Sequence, residues 1–163
     1  MKAVMISIQP KWVEKIVGGE KTIEVRKTAP KLKTPFKCFI YATKGGDRIV
    51  LKNDRVYELS KSLTGVVIGE FVCDKIYNFV QFGAGIMFAD ENLNQLEPQL
   101  ARDMTCLTDN EIENYLGNKD GYGLHISDLK IYDKPKELSE FWNLKGEPIK
   151  RAFQSWGYVY VSN

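Results

Sequence analysis

Apolar and polar residues follow patterns that predict a strand, a helix and a second strand within the first 27 residues. Residues 3–8 are β-prone and alternate weakly, which indicates a short strand. Pro10 suits the first turn of a helix, and the apolar residues at 12, 13, 16 and 17 share one helical face. The glycine pair at 18 and 19 supplies a stop for this helix.

The next run, KTIEVRK at residues 21–27, alternates between polar and apolar side chains. Ile23 and Val25 point to one side of the predicted strand, because successive side chains in a strand point to opposite faces. Glu24 and Arg26 point to the other side. The pattern therefore predicts a half-buried strand that presents charged residues on its polar face.

Most of the remaining chain is predicted to form strands. Further strands are expected at residues 36–43, 65–79, 121–132 and 153–161, a hairpin at 44–64, and helices at 94–103 and from Thr108 onward. The last helix begins with a capping box made by Thr108 and Glu111, and Tyr115 is expected on its inner face. The alternation changes phase around Asp128, which indicates a bulge.

This order of elements favours an α+β, mainly β fold with five or six strands and a helix directly after the first strand. Unevenly spaced strands and short turns predict a small antiparallel or mixed β barrel with peripheral helices. A doubly wound fold is disfavoured because strands and helices do not alternate regularly and no GxGxxG motif occurs. We expect residues 1–163 to form one domain.

The composition, with 44% hydrophobic residues, is typical of a folded soluble protein. No window of 18 apolar residues occurs, so we expect neither a membrane span nor a membrane partner. The first residues lack a signal-peptide pattern, and Cys38, Cys73 and Cys106 form no CxxC pair. We therefore expect a cytoplasmic protein with reduced thiols, no cofactor, and no metal site at its single histidine, His125.

The charges are divided unevenly along the sequence. Residues 1–62 contain 14 Lys and Arg against 6 Asp and Glu, whereas residues 63–163 contain 9 against 15. If the first part lies together in space, this division creates a basic face suited to phosphate groups. If the two parts interleave, their fields cancel, and the sequence leaves both arrangements open.

Lys21, Glu24 and Arg26 form the first candidate site. Residues two apart on one strand face stand roughly 6.6 to 7 Å apart, so the long arginine can reach the glutamate. Two cations and a carboxylate could bind a phosphate or carboxylate group and orient an amine. The alternative is an exposed ion pair on the surface, which contributes little to stability.

Glu70 is a second candidate, because alternation places it on the same strand face as the apolar residues at 66, 68 and 72. In such a place its pKa would be raised, and it could act as a general base near Lys21. The alternative is a structural carboxylate that pairs with a basic residue on a neighbouring strand.

Two tryptophans and one glutamine could also reach a ligand. Trp12 and Trp156 could stack on a base, although aromatic residues at this spacing are more often part of a core. Gln154 lies two residues before Trp156, and its amide, like the indole N–H, needs a partner when it is partly buried.

The run SIQPKWVEKIVGGEKTIEVRK, residues 7–27, resembles the opening of the ASCH domain family, a branch of the PUA-like superfamily of small β barrels. The hallmark of that family is a G-x-K-x-x-x-x-R type motif. Its counterparts here are Gly19, Lys21, Glu24 and Arg26. The later segments GVVIGEFVCDKI, GYGLHISDLKIYDKPKELSEF and RAFQSWGYVYV also resemble strands of the family. The resemblance covers nearly the whole chain, with residues 45–60 and 82–106 as variable excursions.

The resemblance implies a cleft between the first helix and the barrel, lined by the Lys21, Glu24 and Arg26 motif. ASCH domains are widely proposed to bind RNA or nucleotides. Some small bacterial relatives are amidohydrolases acting on acetylated cytidine, and they resemble this chain at Lys21 but carry a threonine in place of Glu24. That threonine is the proposed nucleophile, so its absence argues against the same mechanism here. In the implied fold, the hydroxyl of Ser7 faces the same cleft.

The leading hypothesis is therefore an RNA- or nucleotide-binding domain. The residues expected to contact the ligand are Ser7, Trp12, Lys21, Glu24, Arg26, Gln154 and Trp156. The alternative is a hydrolase of modified nucleosides or RNA that uses Lys21 with Glu24 or Glu70, and a third hypothesis is a protein interaction module. The sequence leaves the ligand, catalysis and the oligomeric state open.

Overall fold

The computed structural model describes residues 1–45 and 63–161, together with the backbone of residues 51–52 and 56–57. Its helices are α1 (Pro10–Val17), α2 (Pro98–Thr105), α3 (Asp109–Leu116) and a 3-10 helix (Leu138–Glu140). Its strands are β1 (Lys2–Ile8), β2 (Ile23–Arg26), β3 (Phe36–Ala42), β4 (Leu51–Lys52), β5 (Val56–Tyr57), β6 (Val66–Cys73), β7 (Ile76–Phe82), β8 (Gly85–Ala89), β9 (Gln95–Leu96), β10 (Gly121–His125), β11 (Ser127–Lys136) and β12 (Trp156–Tyr160).

The strands form two five-stranded sheets and one two-stranded ribbon. The first sheet has the order β11-β6-β3-β1-β12, in which β1 pairs in parallel with β3 and antiparallel with β12. The second sheet has the order β2-β10-β7-β8-β9, and β4 pairs with β5 in the ribbon. The chain crosses between the two sheets at short links, residues 74–75 after β6 and Ile126 after β10.

The expected mainly β fold is confirmed, and the first helix does follow the first strand directly. The expectation of five or six strands was too low, and the described residues form two open sheets rather than a closed barrel. One reason is the run at 65–79, which we expected to be one long strand. It breaks at Asp74 and Lys75 into β6 and β7, which belong to different sheets. Apolar residues continue on both sides of this break, so the pattern conceals it.

Local signals at chain reversals predict the structure well. Gly19 follows α1 with a φ of 77°, the left-handed conformation that favours glycine after a helix. The capping box of α3 forms between Thr108 and Glu111. Asp128, where the alternation changes phase, has a φ of 46°, and the pairing of β11 with β6 shifts register beyond Ser127. The predicted bulge is therefore confirmed.

Other local predictions need correction. The helix expected at 94–103 begins only at Pro98, and Tyr115, expected on the inner face of α3, is 39% exposed. The turns and basic flanks of the hairpin predicted at 44–64 fall mostly outside the described residues, within which β4 and β5 pair antiparallel.

Three groups of buried apolar side chains hold these layers together. The first joins β1, β3 and β6 to α1 and β10, and the second covers the opposite face of the first sheet with the segment around Phe141 and Ile149. The third packs β2 and β7 against α2 and α3. β1 is buried on both faces, and β2 is buried as well. The carboxyl end of β1 contacts β2, because Arg26 of β2 donates a hydrogen bond to the carbonyl of Ser7. The candidate residues lie at this meeting point.

Candidate functional site

All four residues of β2 are buried, so the prediction of a half-buried strand was wrong. Ile23 and Val25 pack in the third apolar group against α2 and α3, as the alternation predicted. The polar face is covered as well, and Glu24 and Arg26 are only 6% and 7% exposed. Alternation identifies the polar face of a strand but does not show that other elements cover it.

Lys21, Glu24 and Arg26 form a buried ionic triad. Glu24 Oε1 lies 2.8 Å from Arg26 Nη2, and Glu24 Oε2 lies 3.5 Å from Lys21 Nζ. The alternative of an exposed surface ion pair is therefore wrong. Two cations face one carboxylate, so the triad carries one formal positive charge away from bulk water. Such an excess charge favours an anionic partner.

Backbone carbonyls from distant segments hold the two cations in place. Lys21 Nζ donates to the carbonyl of Thr105 at the end of α2, at 2.7 Å. Arg26 Nη2 donates to the carbonyl of Ser7 at 2.9 Å, and Nη1 donates to Ser155 Oγ at 3.4 Å. The Ser7 hydroxyl donates to the carbonyl of Phe153. The triad is thus fixed by β1, α2 and the segment before β12.

Burial lowers the pKa of Lys21, and the nearby Glu24 carboxylate opposes this effect without cancelling it. The side chain of Lys21 is only 2% exposed, and Nζ lies 5.1 Å from the centre of the Trp12 ring. A lysine in this setting keeps a favourable ring contact and a carbonyl partner. It also gives up its proton more readily than a lysine in water.

Two buried polar atoms of the triad lack a hydrogen-bond partner among the described residues: Glu24 Oε2 and Arg26 Nε. Oε2 has only the ionic contact with Lys21. Buried polar groups are usually paired, and an unpaired one at a concave site often marks a place where a ligand or water binds. The carboxylate oxygen can accept from an amine or hydroxyl, and the guanidinium nitrogen can donate.

The triad lines a cavity of about 540 Å³. Among the residues predicted from the sequence, those that line this cavity are Ser7, Trp12, Lys21, Glu24, Arg26 and Gln154. Trp156 does not line it, because its indole N–H points elsewhere and donates to the carbonyl and hydroxyl of Thr28, each at 3.1 Å. The volume is within the range of small-molecule sites.

Glu70 lies outside the lining of this cavity. It forms an ion pair with Lys37 at 2.7 Å and accepts a hydrogen bond from the hydroxyl of Tyr132. Burial acts to raise the pKa of Glu70, but the hydrogen bonds from Lys37 and Tyr132 outweigh it and lower the pKa. The suggestion of a general base with a raised pKa was therefore wrong, and the cross-strand pairing is the arrangement observed.

His125 and the cysteines are placed away from the triad, with one exception. His125 Nδ1 lies 2.7 Å from Asp74 at the link between the two sheets. Cys38 and Cys73 are buried and free, and burial raises the pKa of both thiols. Cys106 is partly exposed and lies near Lys21, although burial still raises its pKa. Among the described residues, no group of His, Cys, Asp and Glu could hold a metal ion.

Sequence reasoning missed several residues that build this site. Thr105 comes from the packing of α2 on β2, for which the sequence carries no local signal. Tyr115 and Lys11 line the cavity from α3 and α1, and the pattern presents both as ordinary positions of amphipathic helices. Ser155 also lines the cavity and lies between Gln154 and Trp156, the two residues that we predicted from this segment. The segment was therefore identified correctly, but Ser155 was missed.

Comparison with known proteins bears on the fold. The family model described as the ASCH domain matches residues 6–117. The chain resembles the solved structure of ASCH from Zymomonas mobilis, with a TM-score of 0.57 and 16% identity over 97% of this chain and 87% of that one.

The chain also resembles the solved structures of two mutants of the Zymomonas mobilis protein, each with a TM-score of 0.62 and 19% identity. The tyrosine-to-phenylalanine mutant matches over 98% of this chain and 91% of its own, and the serine-to-alanine mutant over 97% and 88%. No curated protein matches the chain. Structural similarity at this low sequence identity shows the fold alone.

No helix among the described residues is long and apolar enough to cross a membrane.

Proposed function

The chain belongs to the ASCH domain family, and from this premise we propose that its cavity beside Lys21, Glu24 and Arg26 binds RNA or a nucleotide-like ligand. ASCH domains have a PUA-like fold that is often linked to RNA binding. The observation that carries the proposal is the buried triad with one excess positive charge and an unpaired carboxylate oxygen.

Each member of the triad has a role in this proposal. Lys21 and Arg26 contact a phosphate or a base carbonyl, since both are buried donors with charge in excess. Glu24 Oε2 accepts from a sugar hydroxyl or an exocyclic amine, which supplies the partner it lacks.

Three further residues support the triad. Trp12 and Gln154 line the same cavity and offer an aromatic ring and an amide to the rest of the ligand. Ser7 acts through Arg26, because its carbonyl holds that guanidinium. The ligand therefore meets charged groups together with an aromatic ring and an amide.

The test is the affinity of the purified protein for short RNA and for ribonucleotides, measured by fluorescence anisotropy at low and at raised salt. Lys21→Met removes the charge and keeps an apolar stem of similar length. We expect this variant to lose roughly 10-fold or more in affinity, since a hydrogen bond to a charged group contributes about 1.5 to 3 kcal/mol. Lys145→Met is the matched control, because Lys145 is exposed and outside the cavity lining.

The outcomes separate the hypotheses. Wild-type binding that weakens as salt rises, that Lys21→Met reduces and that Lys145→Met leaves unchanged supports the proposal. If the protein binds neither RNA nor nucleotides at low salt, or if Lys21→Met binds as tightly as the wild type, the proposal is wrong. A protein that neither binds nucleotides nor hydrolyses them would leave the protein interaction module as the hypothesis to pursue.

A hydrolase of modified nucleosides or RNA is the second candidate, and the lowered pKa of Lys21 beside a carboxylate favours it. Lys21 would act as the base or acid and Glu24 as its partner. Glu70 has no part in this version, because it lies outside the lining of the cavity. Incubation with acylated nucleosides and with RNA tests it. Turnover by the wild type that Glu24→Gln abolishes supports a hydrolase, and no turnover by the wild type removes it.

A further inference from the structure

Three lysines lead away from the cavity, and we propose that they bind the phosphate backbone of a single-stranded RNA, one nucleotide of which occupies the cavity. We call these residues the basic band: Lys27, Lys31 and Lys2. The inference rests on the proposed function and extends it, because it makes the ligand a polynucleotide strand rather than a free nucleotide.

The basic band belongs to a group of three segments of the chain that contain cations but no acidic residues. Residues 1–13, 25–45 and 148–161 contain two, six and two basic residues, and none contains an acidic one. These three segments carry β1, β3 and β12, and β1 lies between the other two in the first sheet. These three segments therefore lie together in space, although Glu70 of the neighbouring strand β6 pairs with Lys37 of β3.

Lys27 lies where the cavity opens. It directly follows Arg26 of the triad, and its Nζ lies 5.3 Å from the centre of the Tyr115 ring. Tyr115 lines the cavity and is 39% exposed, so Lys27 stands at the rim. A phosphate that leaves the cavity on this side meets Lys27 first.

Lys31 and Lys2 continue the band along β12. The backbone N–H of Lys31 donates to the hydroxyl of Tyr158, and the Nζ of Lys2 lies 3.9 Å from the centre of the same ring. The loop that carries Lys31 is also tied down by Trp156, whose indole N–H donates to Thr28. The loop is thus attached to β12 at two points, which fixes the position of its cations relative to the cavity.

The three lysines of the band are exposed, and none forms an ion pair with a residue that the structure describes. Some other lysines are neutralised by a partner: Lys15 is paired with Glu20, and Lys37 with Glu70. A row of unpaired cations beside a positively charged cavity is complementary to a chain of phosphates. It offers little to a neutral partner.

The length of the band and the size of the cavity indicate the form of the RNA. Ile6 pairs with Trp156 near the cavity and Lys2 pairs with Tyr160 at the far end of β1. The backbones of Ile6 and Lys2 lie roughly 13 Å apart at about 3.3 Å per residue. A mononucleotide in the cavity cannot reach that far end, whereas a strand can. The cavity of about 540 Å³ is within the size range of sites for single small molecules, so it suits one unpaired nucleotide of such a strand.

The experiment compares ligands of increasing length on two matched triple variants. The ligands are ribonucleoside monophosphates and oligoribonucleotides of two to eight residues, with a duplex RNA and anionic vesicles as competitors. One variant combines Lys2→Gln, Lys27→Gln and Lys31→Gln. The control combines Lys119→Gln, Lys134→Gln and Lys145→Gln, three exposed lysines outside the cavity lining that give the same change in net charge.

We expect wild-type affinity to increase with oligonucleotide length and then level off. The band variant should lose about 10- to 100-fold in affinity for the longer strands, with a slope of log affinity against log salt that is shallower by roughly 2. Its affinity for monophosphates should equal that of the wild type, and the control variant should match the wild type throughout.

The results distinguish this inference from the proposed function. If monophosphates bind but longer strands bind no better, or if both triple variants weaken oligonucleotide binding equally, the band is not a binding surface and the proposed function stands. If no nucleotide or RNA binds, the proposed function fails first. Duplex RNA or anionic vesicles that displace the strand as effectively as unlabelled single-stranded RNA would overturn the assignment to a single strand.

Discussion

Replacing Glu24 with glutamine removes the carboxylate from the buried triad while it keeps the size of the side chain. In the native protein this carboxylate contacts both cations, Arg26 at 2.8 Å and Lys21 at 3.5 Å. All three side chains are less than a tenth exposed, so water cannot take over its role. After the change, two buried cations face each other without a counter-charge, and the pKa of Lys21 loses the influence that raises it most.

The expected loss of stability follows from this burial. Removing one partner of a buried ion pair costs about 3 to 5 kcal/mol, because the remaining charge is left uncompensated. Glutamine still offers a carbonyl oxygen to Arg26, so we expect the lower end, about 3 kcal/mol. For a chain of this length, each kcal/mol lowers Tm by about 2 to 4 °C, which gives a decrease of about 6 to 12 °C.

The assay is thermal and urea unfolding of the wild type, Glu24→Gln and the matched control Glu20→Gln. Glu20 makes the same kind of contact with Lys15, but both side chains are largely exposed, at 64% and 41%. Exposed ion pairs contribute little, so the Tm of the control should be indistinguishable from that of the wild type. A Tm decrease for Glu24→Gln as small as that for Glu20→Gln would refute the conclusion that the triad is buried and mutually dependent.

Three further predictions concern the surroundings of the triad. Burial lowers the pKa of Lys21 from 10.5, so between the lowered pKa and 10.5 the unfolded chain binds more protons than the folded one. Urea unfolding should therefore show the wild type gaining stability relative to Lys21→Met as pH rises toward 10.5, and a constant difference would contradict this. Glu70→Gln should lower the free energy of unfolding, measured in urea, by about 1 kcal/mol, because the cross-strand contacts of the carboxylate are lost. Its nucleotide affinity should equal that of the wild type, and weaker binding would place Glu70 in the site. Gly123→Ala should destabilise the protein by about 1 to 3 kcal/mol, since the added Cβ would lie 2.7 Å from both Ile23 and Phe79. Wild-type stability of this variant would show that the contact relaxes freely.

The elements that were predictable from sequence are those with strong local signals. The glycine at 19 ends α1 because its backbone adopts a left-handed conformation there, and Thr108 and Glu111 start α3 through reciprocal hydrogen bonds. Asp128 marks a bulge because an extra residue in one strand shifts the alternation of side chains by one position. Each of these features depends on residues within one or two turns of each other.

The features that escaped prediction depend on packing between distant segments. The burial of Glu24 requires other elements to cover the polar face of β2, and the partner of Lys21 is a carbonyl at Thr105, 84 positions away. Glu70 looked unusual among apolar neighbours on its own strand, yet its partners Lys37 and Tyr132 lie on the two adjacent strands. A single sequence gives the composition of such a site more readily than its contacts.

The most direct test of the central claim is a crystal structure of the protein grown with a short single-stranded RNA. We expect ordered ligand in the cavity, with a phosphate or carbonyl oxygen within hydrogen-bond distance of Lys21 Nζ or of Arg26, and a hydroxyl or amine donating to Glu24 Oε2. RNA bound on another face, while the triad keeps its internal contacts and the cavity contains only solvent, would contradict it.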